Sequence, residues 1–438
     1  MKGFLRCFWA LGLVALLLCL CGCDMTNTNE ELLSPPRPQG ELYEVQQALY
    51  KTAPEDMKLR YPKKGQYRSA ITSFDIDADG KNEAIAFFET VNENVSMMHL
   101  SVIYKTASGW VATKDFSVMA SGVERLSFED LDGDGRQEII VGWSVYSGVD
   151  KQLAVYSFNG ETLSHLMLEK YTEYITCDLN TDQKKEIFLI NQSTAEKRAD
   201  AHLYGMESGE ITEISGCRSD GGVTSYLTIK EEKLLGGRAA VIVDASRGSS
   251  LLTEIFYLEN GELLNPLFDS AAGKTVITER LSAEIADING DGITDIPLSE
   301  VMPGYEAAEE AGKIYITRWC SFDGKNLNIT TTAVMNYTDG YYFTLPKNLD
   351  GRITVIKNVE TKLRTVFLYD KNAKMQTDEL FRIQVLAPGE LTPERVSAGW
   401  VKLFEDEERV IAVLISGYKG EYEVSLEEIS NMFKMIER

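Results

Sequence analysis

Hydrophobic and polar positions divide the chain into a helical lead-in, a long series of short strands and a terminal helix. Apolar residues recur at helical spacing in two segments, at Leu42, Val45 and Leu49 and again at Leu426, Ile429, Met432, Phe433 and Ile436. Ser425 and Glu428 have the spacing of a capping box. Between the two segments, short β-type runs alternate with Gly, Asn and Asp turns. The pattern predicts a helical lead-in over residues 41–66, strands over 67–424 and a C-terminal helix over 425–438.

The strand region repeats a nine-residue acidic motif. The four copies DIDADGKNE, DLDGDGRQE, DLNTDQKKE and DINGDGITD start at Asp75, Asp130, Asp178 and Asp287. Successive copies start 55, 48 and 109 residues apart, so the last interval spans two units. The segment from Tyr226 to Val243 has a hairpin pattern without the acidic loop, and it fills the missing place.

Two degenerate units follow, one around Asp350 and one from Trp400, which brings the count to seven. A second series of aromatic strands ends in turn glycines at Gly109, Gly160, Gly209, Gly261 and Gly324. Each unit of about fifty residues therefore supplies four short strands, the content of one propeller blade. We predict an all-β fold, a seven-bladed β-propeller with short N- and C-terminal helices. A β-sandwich is the alternative, although sandwiches do not repeat a loop motif at one blade-length interval.

The spacing of the acidic motif has a chemical meaning. Carboxylates at positions 1, 3 and 5 of D-x-D-x-D-G-x-x-E can converge on one hard cation, as in the first half of an EF-hand loop. Glycine at position 6 permits the sharp turn, and a carboxylate at position 9 completes the oxygen shell. All donors are oxygen atoms, which favours Ca²⁺ over Zn²⁺. The alternative is a set of solvated Asp-Gly turns without metal.

These loops resemble the FG-GAP/VCBS repeats of integrin-α propellers and of bacterial surface proteins. The resemblance covers roughly residues 67–422, and the bacterial VCBS-like family is the closer match because the FG-GAP words are absent. It implies a seven-bladed propeller with Ca²⁺ in its blade loops, serving adhesion or partner binding.

The resemblance also implies a set of side-chain ligands. In the three loops with the complete pattern they are Asp75, Asp77, Asp79 and Glu83, then Asp130, Asp132, Asp134 and Glu138, and finally Asp287, Asn289, Asp291 and Asp295. In the remaining loop they are Asp178, Asn180, Asp182 and Glu186. That loop departs from the pattern at Gln183, where glycine is expected, so we expect a strained or different turn there.

The first residues indicate export and lipidation. Lys2 and Arg6 precede an apolar stretch of signal-peptide length that ends in Leu-Cys-Gly-Cys, which resembles the bacterial lipobox. The resemblance implies a signal peptide over residues 1–22, a lipid on Cys23 and a flexible polar tether over 23–40. We therefore expect an extracytoplasmic protein that the lipid anchors to the bacterial cell membrane.

The net charge limits the classes of partner that the chain can bind, and the number of cysteines limits its disulfide bonds. The chain has 44 basic and 67 acidic residues and a net charge of −23, which disfavours nucleic acid and leaves the lipid as its membrane contact. Of its seven cysteines, Cys177, Cys217 and Cys320 lie beyond the lipobox. Three buried thiols or one disulfide are both compatible with that number.

Enzyme signatures are missing from the sequence. His99, His165 and His202 are isolated, and no nucleophile elbow, Walker loop or dinucleotide fingerprint is present. The sequence favours a surface recognition or adhesion module that binds a protein or glycan. An envelope assembly scaffold and a glycan-acting enzyme that uses paired carboxylates remain the alternatives.

Overall fold

The computed structural model describes residues 40–92, 95–145, 151–195 and 197–436. The predicted signal peptide, Cys23 and nearly all of the tether lie outside the described residues. Helix α1 (Glu41–Thr52) packs on the first sheet through Val45, Ala48 and Leu49. Leu42, which the sequence places on the same face, is 47% exposed because the helix contacts the sheet mainly through its second and third turns.

Thirty strands follow in the part of the chain that the structure describes, and all named pairings between them are antiparallel. Sheet 1 contains β1 (Lys58–Leu59), β2 (Ile71–Phe74), β3 (Glu83–Asn92), β4 (Val95–Thr106), β5 (Gly109–Ala112) and β6 (Phe116–Val118). Sheet 2 contains β7 (Gly122–Glu129), β8 (Glu138–Ser144), β9 (Lys151–Phe158) and β10 (Leu163–Tyr171). Sheet 3 contains β11 (Glu173–Cys177), β12 (Glu186–Asn191), β13 (Asp200–Glu207) and β14 (Glu210–Arg218).

The second half has less regular sheets. Sheet 4 contains β15 (Ser225–Lys233), β16 (Ala239–Arg247), β17 (Ser250–Glu259) and β18 (Glu262–Leu264), and β19 (Phe268–Asp269) pairs with β20 (Lys274–Thr275) beside it. Sheet 5 contains β21 (Ile296–Val301), β22 (Tyr315–Phe322), β23 (Leu327–Asn336), β24 (Tyr341–Thr344) and β30 (Phe433–Met435). Sheet 6 contains β25 (Ile353–Asn358), β26 (Leu363–Asp370), β27 (Met375–Leu386), β29 (Val410–Ile415) and β28 (Trp400–Glu405). The other helices among the described residues are a 3₁₀ turn at Glu310–Gly312, α2 (Pro393–Ser397) and α3 (Leu426–Met432).

The chain is thus all-β with few helices, but the count of seven separate blades is not confirmed. The described residues form six sheets of four or more strands. The segment around Asp350 is not a hairpin, because β24 pairs within sheet 5 and β25 within sheet 6, so Asp350 lies in the connection between them. The last unit, from Trp400, does form a hairpin, but β29 pairs with β27 and extends sheet 6.

Hydrophobic clusters join each sheet to the next one in chain order. The second strands β8 and β12 are buried along nearly their whole length, because neighbouring sheets cover both of their faces. Aromatic contacts mark three of these interfaces, between Phe87 and Trp143, Phe188 and Phe256, and Phe343 and Phe381. Within the described residues, none of the hydrophobic clusters links sheet 6 to sheet 1.

The chain end is partly helical. Ser425 and Glu428 form the capping box that the sequence predicts, and it starts α3. The helix predicted over 425–438 ends at Met432, because Phe433–Met435 pair with β24 as strand β30. The three cysteines in the described part of the chain, Cys177, Cys217 and Cys320, are free thiols. No helix in the described ranges is long and apolar enough to cross a membrane.

Candidate metal sites

Three of the four acidic segments connect the first two main strands of a sheet. Loop 1 (residues 75–83) joins β2 to β3, loop 2 (130–138) joins β7 to β8, and loop 3 (178–186) joins β11 to β12. Loop 4 (287–295) leads into β21, and its own first strand is reduced to a single antiparallel bridge between Ala286 and Asp295. The β15–β16 hairpin of sheet 4, whose turn lacks the acidic motif, occupies the place between loops 3 and 4.

One hydrogen-bonded frame recurs in all four loops. The N–H of position 6 donates to the Asp at position 1, from Gly80 to Asp75 (3.1 Å), Gly135 to Asp130 (2.9 Å), Gln183 to Asp178 (3.1 Å) and Gly292 to Asp287 (2.9 Å). The N–H of position 2 donates to the acid at position 9, from Ile76 to Glu83 (2.9 Å), Leu131 to Glu138 (3.0 Å), Leu179 to Glu186 (2.8 Å) and Ile288 to Asp295 (3.3 Å). Both ends of each motif are therefore fixed by backbone donors.

Loop 3 adopts the same turn as the other loops despite its missing glycine. Gln183 has φ 73°, close to the 82° of Gly80 and the 90° of Gly135. A side chain in this left-handed region costs roughly 1–2 kcal/mol. Of the two expected alternatives, loop 3 therefore has the strained turn, with a positive φ at Gln183.

The structure brings three carboxylates together in each of three loops. The groups are Asp75, Asp77 and Glu83; Asp130, Asp132 and Glu138; and Asp178, Asp182 and Glu186, each with one oxygen per residue and all three oxygens within 4.8 Å of one another. Each group could hold a metal ion, and its all-oxygen donor set is compatible with Ca²⁺.

The other predicted ligands lie beside these groups or outside them. Position 5 of loops 1 and 2 is turned to a basic residue at position 7, with Asp79 2.7 Å from Lys81 Nζ and Asp134 3.2 Å from Arg136 Nε. The amide of Asn180 donates to Asp182. In loop 4 the described carboxylates of Asp287, Asp291 and Asp295 do not form such a group, and the amide of Asn289 donates to Asp291.

Burial makes the position 9 carboxylate the least solvated group in each loop. Glu83, Glu138, Glu186 and Asp295 are all 5% exposed or less. Burial, with the neighbouring Asp charges adding to it, raises the pKa of Glu138 and of Glu186 to about 7. The pKa values of Glu83 and Asp295 are raised for the same reasons.

Loop 1 contains a carboxylate oxygen whose surroundings fit a cation. Oδ1 of Asp75 is buried and has no hydrogen-bond partner among the described residues. A buried carboxylate oxygen without a partner is costly unless a cation or a water satisfies it. The residues of loop 1 therefore fit a bound cation.

The four loops lie along one edge of the series of sheets, because polar contacts connect each loop region to the neighbouring sheet. The sequence did not reveal this arrangement. Four polar contacts connect them in chain order, Gln137 N–H to Ile76 O (2.8 Å), Thr176 Oγ1 to Glu129 (2.8 Å), Asp178 N–H to Glu231 (3.2 Å) and Lys230 Nζ to Thr294 Oγ1 (2.9 Å). A cation in one loop would thus act on a hairpin that contacts the next sheet.

Two histidines are less isolated than the sequence indicates, and His202 lies between the carboxylates of Asp200 and Glu213. His99 lies between Thr90 Oγ1, at 2.8 Å from Nε2, and Asp115 Oδ2, at 2.5 Å from Nδ1. This order resembles a nucleophile–base–acid triad. Thr90 is 4% exposed, so its hydroxyl is packed within sheet 1 and is not presented to a substrate.

Comparisons with known proteins give no family. No family model matches the chain, and no curated protein matches it. Among solved structures, the exotype rhamnogalacturonan lyase YesX superposes with a TM-score of 0.31 at 10% identity, covering 83% of this chain and 91% of that one. The Bacillus licheniformis rhamnogalacturonan lyase PL11 gives 0.32 at 14% identity, covering 83% and 86%, and the Dos1 propeller gives 0.25 at 6% identity, covering 61% and 65%. At these TM-scores the superpositions assign neither an activity nor a substrate to this chain.

Proposed function

We propose that this chain is a lipid-anchored, Ca²⁺-binding recognition module of the bacterial cell surface, in which a propeller-like series of sheets binds a protein or glycan partner. The observation that carries the proposal is the recurrence of one acidic group at the first hairpin of three successive sheets. A single acidic turn is common without metal, whereas three turns with one hydrogen-bonded frame indicate a shared ligand.

Each cation would be held by the carboxylates that the loop already brings together. In loops 1 and 2 these are positions 1, 3 and 9, and in loop 3 positions 1, 5 and 9. In loop 4, whose described carboxylates do not form such a group, the sequence pattern gives Asp287, Asn289, Asp291 and Asp295 as the ligands. Bound Ca²⁺ would offset repulsion among these acids and hold the hairpin that contacts the neighbouring sheet.

Attachment and partner class follow from the sequence. A lipid on Cys23 would hold the described sheets outside the membrane at the end of the tether over 23–40. A net charge of −23 opposes binding to phosphate backbones, so we expect a surface protein or glycan and no nucleic acid as the partner.

Calcium-dependent binding to isolated cell envelopes tests this function. The Cys23→Ala protein would be sedimented with envelopes in millimolar Ca²⁺ and in excess chelator. Asp130→Asn removes one cluster carboxylate from loop 2. Asp370→Asn is the matched control, since Asp370 accepts hydrogen bonds only within the exposed turn after β26 among the described residues.

We expect envelope binding that needs Ca²⁺, is weaker in Asp130→Asn and is unchanged in Asp370→Asn. Loss of binding after protease treatment of the envelopes would assign a protein partner, and loss after glycan removal a glycan partner. Equal sedimentation in Ca²⁺ and in chelator, or no sedimentation in either, would contradict the proposed function.

A further inference from the structure

A basic pocket of about 160 Å³ lies between sheets 5 and 6, at a distance along the chain from loops 1 to 3. Its lining residues lie on β21, β22 and β23 of sheet 5 and on β25 and β26 of sheet 6, and Leu281 and Ser282 also line it. Pockets for drug-sized ligands have volumes of roughly 300–1,000 Å³, so this one suits a smaller molecule.

The charge of the pocket is opposite to that of the chain. Its described lining includes Lys313, Lys357 and Arg364 and no carboxylate, although acidic residues outnumber basic ones 67 to 44 in the whole sequence. Lys313 is neutralised by Glu310, whose carboxylate lies 2.8 Å from its Nζ at the rim. The pocket therefore carries two further positive charges.

Lys357 and Arg364 are placed directly opposite each other in the β25–β26 register. Lys357 is exposed and Arg364 is half-buried, and the Arg364 charge acts on the phenol of Tyr341. Neither cation has a carboxylate partner among the residues that line the pocket. Like charges at directly opposed positions of an antiparallel pair are destabilising. Nearby Arg318, in contrast, is held by Asp350 at 2.8 Å and also by Glu300. Two neighbouring cations that repel each other in a concavity, with no acidic partner in its lining, indicate that an anion binds between them.

The uncharged part of the lining narrows the class of anion. Five hydroxyl groups line the pocket, those of Ser282, Ser299, Tyr315, Thr317 and Tyr337, together with apolar surface from Leu281, Ile314 and Met335. The Tyr315 hydroxyl is already bound to Glu310, and the hydroxyls of Ser282 and Tyr337 are bound to each other. Ser299 and Thr317 are left to offer hydroxyls to a ligand. A sugar ring binds through hydroxyl partners, aromatic side chains and apolar surface, whereas a bare phosphate or sulfate would use none of the apolar surface.

We propose that this pocket binds the ring of an acidic sugar, with its carboxylate between Lys357 and Arg364. The guanidinium of Arg364 can take a carboxylate through two parallel hydrogen bonds, and Lys357 adds a point charge beside it. Ser299 and Thr317 line the same pocket and would offer hydroxyls to the ring. This subsite is independent of the acidic loops and goes beyond the proposed function.

Titration with D-galacturonate and D-glucuronate, followed by ligand-observed NMR, tests the subsite. D-galactose is the neutral partner and inorganic phosphate the simple anion, and all titrations are done in excess chelator so that the calcium loops do not contribute. Lys357→Gln and Arg364→Gln remove the two unpaired cations. Lys114→Gln is the control, because Lys114 is an exposed cation in the connection between β5 and β6.

We expect one of the two uronates to bind, galactose not to bind, and each pocket variant to weaken binding roughly tenfold while Lys114→Gln leaves it unchanged. Without ligand, Lys357→Gln should melt at the same temperature as the parent or higher, since it removes a repulsion. Phosphate that binds as tightly as either uronate would overturn the sugar assignment. No uronate binding, or binding that survives both pocket substitutions, would overturn the subsite.

Discussion

The backbone N–H of Leu131 donates a 3.0 Å hydrogen bond to Oε2 of Glu138, and this contact holds the last acid of loop 2 next to the first. Glu138 is 4% exposed, and its pKa is raised to about 7 by burial and by the neighbouring Asp charges. Ile76 and Glu83 have the same relationship in loop 1. The frame of each loop is therefore made by backbone donors, while its charge is left for a cation to balance.

Replacing Gln183 with glycine should stabilise the protein. Gln183 has φ 73° in loop 3, and a glycine there avoids a cost of roughly 1–2 kcal/mol while adding roughly 0.5–1 kcal/mol of chain entropy to the unfolded state. We expect Gln183→Gly to raise the free energy of unfolding by about 0.5–1 kcal/mol, measured by urea denaturation in excess Ca²⁺.

Gly80→Gln is the mirror experiment in loop 1. Gly80 has φ 82°, and a Cβ atom there would meet no other atom within 4 Å, so the substitution tests backbone strain alone. It should lower the free energy of unfolding by about the amount that Gln183→Gly adds. If both variants change stability in the same direction, strain at position 6 is not the cause.

The local structure of this chain could be predicted from its sequence better than the pairing of its strands. The Asp-rich motifs specify hairpin loops, and loops 1 to 3 lie where their spacing indicates, because each turn depends on contacts within nine residues. The unit at Asp350 looked like another hairpin, but Arg318 from sheet 5 holds Asp350 in an inter-sheet connection. The strand β30 was read as helix because Phe433 fits a helical face equally well. Pairing of distant strands is decided by tertiary contacts, which a local pattern does not record.

The site was predicted only in part for the same reason. Spacing identified the acids of each loop but not which of them converge, because Lys81 and Arg136 draw Asp79 and Asp134 aside. Loop 3 departs from the motif at Gln183, although its three carboxylates converge. Neither the basic pocket nor the contacts between loops leaves a signal in a linear motif.

Glu254 should make the stability depend on pH. Its carboxyl group is closed to solvent, and burial raises its pKa to about 7 from an ordinary value of 4.5, with the Asp220 charge adding to the shift. The folded state therefore keeps a proton that the unfolded state releases, so Glu254 lowers stability as pH rises from 4.5 to 7. Glu254→Gln should remove a loss on the order of 3 kcal/mol at pH 8 and change little at pH 4.5.

Chemical denaturation of both proteins at several pH values checks this, in excess Ca²⁺ so that the loop acids titrate equally in both. Gln can keep the hydrogen bonds that Glu254 accepts from Asn265 and Thr275. Parallel stability curves for the two proteins between pH 4.5 and 8 would contradict the assignment.

The buried ion pair between Arg280 and Asp244 should be essential for the stability of the segment that connects β18 to β21. Both side chains are at most 1% exposed, and Arg280 also donates to Thr253 Oγ1 at 3.0 Å and to Thr278 O at 3.1 Å. Arg280→Met leaves Asp244 charged and unpaired, so it should lower the free energy of unfolding by about 3–5 kcal/mol. Lys402→Met breaks an exposed pair with Glu405 and should cost less than about 1 kcal/mol.

Adding Asp244→Asn to Arg280→Met separates the lost charge from the lost packing. The double variant should recover part of the stability, because the uncompensated buried charge is gone. No recovery would mean that the contacts of Arg280 with Thr253 and Thr278, and not its charge, carry the effect.

Cys23→Ala should release the protein from the membrane fraction. The proposal gives the lipid on Cys23 as the attachment, and a single substitution removes the sulfur that would carry it. Cell fractionation with immunodetection would show the variant in the soluble or secreted fraction, while Cys217→Ala stays with the parent. A variant that remains in the membrane fraction would contradict lipid anchoring.

Thermal unfolding in Ca²⁺ and in excess chelator tests the central claim most directly. At extracellular-type affinities, millimolar Ca²⁺ should add about 0.4–1.4 kcal/mol per site through binding to the folded state alone. Three or four sites should raise the melting temperature by several degrees, and chelator should reverse the rise. Asp130→Asn should lose part of it and Asp370→Asn none. An identical melting temperature in Ca²⁺ and in chelator would contradict the account and leave the loops as acidic turns.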